Sequence, residues 1–115
     1  MKSWESAPLE KKEREAIEVA INVLKKRFPM KKVILFGSKV RGDSDEFSDI
    51  DLLLITTRPL HWREEKAIVD TLFDLGVEYD VVFTPSFASF EEWDRGIFRE
   101  FPVYRKIMEE GAVVP

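Results

Sequence analysis

At 115 residues, 44% of them hydrophobic and 12% aromatic, the chain has the length of one domain, 1–115, able to bury roughly two thirds of its unfolded surface. A formal net charge of −4 argues against a nucleic-acid binder that works through a broad basic surface, and the absence of cysteine excludes a disulfide framework, a thiolate zinc site and a thiol nucleophile. The opening MKSWESAPLEKKERE lacks the apolar centre of a signal peptide, and no run approaches the roughly 20 apolar residues that span a bilayer, so a soluble, cytoplasmic protein is expected.

In chain order, Ser6, Pro8, Glu10 and Glu13 look like a helix start, with a capping hydroxyl, a first-turn proline and acids at the positive end of the dipole. Ile17, Ala20, Ile21, Leu24 and Phe28 then recur at helical spacing and predict an amphipathic helix that closes at Phe28-Pro29. Lys32 to Phe36 reads as a first strand stopped by Gly37, and Ser38 to Ser48 as a loop or a short helical turn followed by a loop. Asp49 to Thr56 reads as a second strand, apolar on both faces and therefore central in a sheet.

After Arg58-Pro59 a second helix is expected over Leu60 to Leu75, with Ile68, Leu72 and Leu75 buried and Gly76 as its C-terminal cap. Val77 to Thr84 reads as a third strand that carries Asp80. Ser89 and Glu92 form a capping-box pattern before a short helix ending near Gly96. A last helix spans Pro102 to Glu110, and the final residues form a tail. The order predicts an α/β (α+β) domain, a mixed sheet flanked by helices.

Chemistry concentrates between Val33 and Ile55. Asp49 and Asp51 stand two apart on one face at the start of a buried strand, which places their Cα atoms roughly 6.5 to 7 Å apart. Buried carboxylates are costly unless a cation or a proton compensates them, and Mg²⁺ is commonly held by one or two carboxylates together with substrate phosphates. Gly37-Ser38, directly after the first strand, offers backbone N–H groups and a hydroxyl to phosphate, with Lys39 and Arg41 as nearby cations. Phosphate donors beside metal-binding carboxylates describe a nucleoside triphosphate site.

Two other motifs fail. GSKVRGDS has the glycine spacing of a Walker A loop but puts Asp43 where the phosphate-binding lysine belongs. DSDEFSDID is reminiscent of a calcium loop but has Ser48 where an EF-hand needs glycine. The bland alternative, in which Asp49 and Asp51 are a cap and an edge charge and Gly37-Ser38 an ordinary turn, is outweighed because the Gly-Ser, the acid pair and Asp80 fall on successive strands.

LFGSKVRG, SDIDLLLI and EYDVVF together resemble the minimal nucleotidyltransferases of the DNA polymerase β superfamily, whose signature is Gly-Ser, ten residues, then Asp-x-Asp; residues 39 to 48 supply the ten. The resemblance covers Val33 to Phe83. It implies a polymerase β palm-like core, ATP as donor and Mg²⁺ as cofactor in a two-metal site. By position, Gly37 and Ser38 would hold the triphosphate with Lys39 and Arg41, while Asp49 and Asp51 would ligate metal. Asp80 would be the third carboxylate and proton acceptor, with Glu78 as its alternative. Lys39 stands where many relatives have arginine, which removes a bidentate fork.

Proteins of this kind commonly pair with a HEPN-domain toxin as its antitoxin, in some cases by adding AMP to it. The resemblance thus implies an adenylyltransferase of a toxin–antitoxin pair or, as the alternative, an antitoxin that neutralises by binding alone. A homo-oligomer stays open. His61 reads as a surface residue, and Trp62, Trp93, Phe87, Phe90, Phe98 and Phe101 as core or helix packing.

Overall fold

The apolar stripe near the N-terminus forms one face of helix α1 (Lys11–Arg27), in which Ile17, Ala20, Ile21 and Leu24 are buried. The computed structural model describes residues 1–42 and 49–115. The helix starts later than Ser6: Glu10 is its N-cap, and the Glu10 N–H donates to Glu13 Oε1 at 2.9 Å. A carboxylate three residues into the helix thus performs the capping expected of the serine.

Strand β1 (Met30–Phe36) ends at Gly37 and is followed by a single helical turn, α2 (Ser38–Arg41). The predicted loop beyond it, including Asp43 and Ser48, lies outside the described residues. Strand β2 (Ile50–Thr56) is buried along nearly its whole length. Helix α3 (Trp62–Tyr79) is opened by His61, whose Nδ1 accepts from the Arg63 N–H. Strand β3 (Phe83–Ser89), helix α4 (Phe90–Arg95), a 3-10 turn (Ile97–Glu100), helix α5 (Pro102–Glu110) and strand β4 (Ala112–Val114) complete the chain. Ser89 and Glu92 cap α4 reciprocally, as their spacing predicts.

The sheet order is β3-β2-β1-β4, with β1 antiparallel to β2 and β4, and β2 parallel to β3. It is a mixed sheet flanked by helices, with β2 in the interior as its two apolar faces require. Ile50, Leu52 and Leu54 pack with α1 and with Ile68 and Leu72 of α3; Leu53 and Ile55 face Trp93 of α4 and Ile107 of α5. Each such fully buried aliphatic side chain contributes about 1.5–3 kcal/mol. The C-terminal residues are a strand and not a tail: Val33 pairs with Val114 and Leu35 with Ala112.

The largest departure from the sequence reading lies between Gly76 and Phe83. Helix α3 runs through Gly76 to Tyr79, and Asp80 takes the left-handed cap conformation at φ 57°. The Gly76 carbonyl accepts from the N–H groups of both Asp80 and Val81, and a Cβ at Gly76 would lie 2.6 Å from the Val81 carbonyl oxygen. Gly76 is therefore needed for close approach inside the helix, while Asp80, a residue type that tolerates left-handed backbone, makes the turn. The third strand begins at Phe83, not Val77, and continues through Pro85, which an edge strand accommodates.

Candidate active site

The site forms at the end of the sheet where β1 stops and β2 and β3 begin. Phe36 pairs with Asp51 across β1 and β2, and Asp51 with Thr84 across β2 and β3. Gly37 follows with φ 82° and ψ −157°, backbone that only glycine adopts without strain. Its missing side chain also makes room for Asp51: a Cβ there would fall 3.2 Å from Asp51 Cγ and closer still to Oδ2. The Gly-Ser turn and the acid pair, separated in sequence, are packed against one another.

Gly37→Ala meets both constraints at once. The expected result is a loss of about 1–3 kcal/mol from the backbone alone, with Asp51 pushed off its position. Denaturant unfolding alongside an ATP titration checks it; unchanged values for both would contradict this packing.

Ser38 opens α2 half-buried; the Val40 and Arg41 N–H groups both donate to the Gly37 carbonyl at 3.2 Å, whereas the Ser38 N–H, ahead of them, has no acceptor within its own helix. Asp49, just ahead of β2, is exposed, and its Oδ2 accepts from Thr84 Oγ1 at 2.9 Å. Asp51 is half-buried. Burial first, and the Asp49 charge second, raise its carboxyl above the usual range, and Arg41 offsets part of this. Arg41 also lies 3.7 Å from Glu110 of α5.

Two oxygen-only ligands carrying excess negative charge fit a hard divalent cation, the remaining positions being left to water and phosphate oxygens. Two carboxylates make the donor set of one such ion.

Two expected members lie elsewhere. Lys39 points inward, its Nζ 2.5 Å from Glu13 Oε2 with both side chains buried, so its ammonium meets a carboxylate of α1. Asp80 is almost wholly exposed at the end of α3, 3.4 Å from Lys12 of α1, and Glu78 is an exposed residue of the same helix. Among the described residues no group of three His, Cys, Asp or Glu side chains is placed to share a metal. The three-carboxylate arrangement is not formed, because the strand that was to carry Asp80 starts after it.

Thr84 and Glu13 escape the sequence reading. Thr84 was placed at the end of a strand that in fact begins one residue before it. Glu13 left a usable signal: it lies on the same helical stripe as Ile17, Ala20 and Leu24, a position that faces the core.

The chain matches the nucleotidyltransferase domain family over residues 17–114. It is 35% identical over 104 residues to a Methanocaldococcus jannaschii protein designated a proposed protein adenylyltransferase, spanning 89% of this chain and 97% of that one. A second protein of that organism with the same designation is 37% identical over 54 residues, 47% of this chain and 54% of its own length. Among solved structures, the fold is similar to a chain of the MntA–HpeT toxin–antitoxin crystal structure, in mutant form, with a TM-score of 0.58 and 17% identity over 86% of this chain and 71% of that one. Among the described residues, no helix is long and apolar enough to cross a membrane.

Proposed function

Because this chain belongs to the nucleotidyltransferase domain family, we propose that it transfers AMP, or another nucleoside monophosphate, from an NTP to a hydroxyl of a partner protein. The observation that carries this reading is the packing of Gly37 against Asp51, which sets the Gly-Ser turn beside the carboxylate that would bind metal. The relatives designated protein adenylyltransferases support ATP as donor and a protein as acceptor. A toxin, of the HEPN class expected from the sequence, is the proposed acceptor, as part of a toxin–antitoxin pair acting in the cytoplasm.

In this reading the Ser38 hydroxyl and N–H hold triphosphate oxygens, and Arg41 faces the same charge. Asp49 and Asp51 would hold Mg²⁺, which when bound supplies Lewis-acid polarisation of phosphate oxygens. The acceptor oxygen bonds to the α-phosphorus while the bond from that phosphorus to the bridging oxygen breaks. Pyrophosphate leaves with the electron pair, and the hydroxyl proton passes to water. Most of the catalysis comes from positioning and charge neutralisation, as phosphoryl transfers generally require.

The test is to incubate the protein with the candidate partner, ATP and Mg²⁺ and to weigh the partner by mass spectrometry. A gain of one or more AMP units is expected. A second reading, neutralisation by binding alone, draws on the finding that among the described residues no third acid joins the pair to share a metal. An unmodified partner that is still neutralised by an Asp49→Asn/Asp51→Asn variant would establish it.

Thr84 holds the outer carboxylate by its hydroxyl, and outer partners of metal ligands are worth about 10- to 100-fold in metal affinity. Thr84→Val should therefore raise the Mg²⁺ concentration that supports ATP binding by at least about tenfold, with Thr84→Ser restoring it. Identical Mg²⁺ titrations for all three proteins would remove Thr84 from the site.

A further inference from the structure

Helix α3 buries only one face. On its flank, one position on from buried Ile68, Leu72 and Gly76, Val69, Phe73 and Val77 recur every four residues, and Phe73 and Val77 are each 69% exposed. Beyond the cap, Val82 is 59% exposed. These side chains line a groove of about 620 Å³ between α3, the start of α1 and β3, floored by Leu72, Phe83 and Pro85. An apolar stripe of this kind on a charged, water-facing helix marks an interaction surface.

Charge specifies the occupant. From Val69 to Asp80 the chain carries Asp70, Asp74, Glu78 and Asp80 and no lysine or arginine. The last turn of α3 has no basic residue to offset the negative end of the helix dipole. Lys66 pairs with Asp70 and Lys12 with Asp80, whereas Asp74 and Glu78 have no ion-pair partner among the described residues. A second copy of this chain, meeting the groove across a two-fold axis, would set these acids against themselves.

We propose that the groove between α1 and α3 docks an amphipathic helix of a partner protein, whose apolar anchors enter beside Phe73 and Val77 and whose lysines or arginines meet Asp74 and Glu78. Helix-in-groove recognition uses the same spacing of anchors that α3 displays. The groove lies on the sheet face covered by α1 and α3, while Asp51 shares the opposite face with Leu53 and Ile55, so an occupant leaves the carboxylate pair open. The inference rests on the partner-protein part of the proposed function but not on its chemistry: docking needs no nucleotide, so peptide binding and ATP binding fail separately.

The probes are two fluorescent helical peptides of about 18 residues, five turns, with one leucine stripe flanked by lysines in the first and by glutamates in the second. Measured without nucleotide, the lysine peptide should bind saturably and at least tenfold tighter than the glutamate peptide. Phe73→Ser, at an exposed position and with an unchanged melting temperature, should weaken it by about tenfold or more. The Asp74→Lys/Glu78→Lys variant should reverse the preference. Failure of the lysine peptide to bind, equal binding of both, or indifference to Phe73→Ser would overturn the proposal. So would a wild-type dimer that Phe73→Ser turns into a monomer, which would give the groove to a second copy.

Discussion

An Asp49→Asn/Asp51→Asn protein should lose nucleotidyl transfer by about three orders of magnitude or more, the scale of several kcal/mol of lost charge stabilisation, and yet remain folded. The pair stands at a strand end with Asp49 exposed and Asp51 half-buried, and asparagine keeps the shape of each side chain, so the packing of position 51 against Gly37 is retained. Asp51→Asn alone separates a binding role from a structural one. Its carboxyl is raised by burial and by Asp49, so the native state binds that proton more tightly than the unfolded chain does. The contribution is fully present below the ordinary carboxylate range and is lost as pH rises through the raised value.

At neutral pH the wild-type protein therefore carries a charge it would fold more stably without, and in chelator Asp51→Asn should melt higher. As pH falls below the ordinary carboxylate range the difference should close. Adding Mg²⁺ should reverse the order, because a ligand of the native state stabilises only the protein that binds it. Melting curves in chelator and in Mg²⁺, at neutral and acid pH, test all three statements. Equal stabilisation of both proteins by Mg²⁺ would show that the acids are not its ligands.

The parts of the site legible in the sequence are those fixed by breaks in the local pattern. Gly37 ends an apolar run, and Asp49 and Asp51 interrupt the start of the next. An antiparallel pairing of two such runs brings the break in one to the start of the other, as the Phe36–Asp51 register does. Asp80 was not legible because Val69 to Phe83 carries two periods. Val69, Phe73 and Val77 repeat every four residues, while Val77, Tyr79, Val81 and Phe83 alternate; short apolar runs of this kind do not distinguish helix from strand.

What decides between them is Gly76, whose carbonyl gathers the cap hydrogen bonds only because the Val81 backbone can approach it. The C-terminal Val-Val was likewise ambiguous. It becomes a strand because β1 offers an open edge opposite β2, a partner defined by the tertiary fold alone.

Lys39 provides the sharpest separation of a phosphate role from a structural one. Glu13 uses one carboxylate oxygen to cap α1 at the Glu10 N–H and the other to meet Lys39, joining the first helix to the turn that follows Gly37. Lys39→Met leaves Glu13 buried without the cation that faces it, and breaking a buried pair from one side costs about 3–5 kcal/mol, a large share of the 5–15 kcal/mol typical of a whole domain. Replacing both partners removes the uncompensated charge, and Glu13→Gln keeps an oxygen for the cap. The Glu13→Gln/Lys39→Met protein should therefore recover most of the stability lost by Lys39→Met alone, a coupling that a double-mutant cycle reads directly. It should also bind ATP as the wild type does, because the ammonium it lacks stands beneath α1. If Lys39→Met instead unfolds like the wild type while ATP affinity falls in both variants, the lysine serves phosphate and the buried pair is incidental.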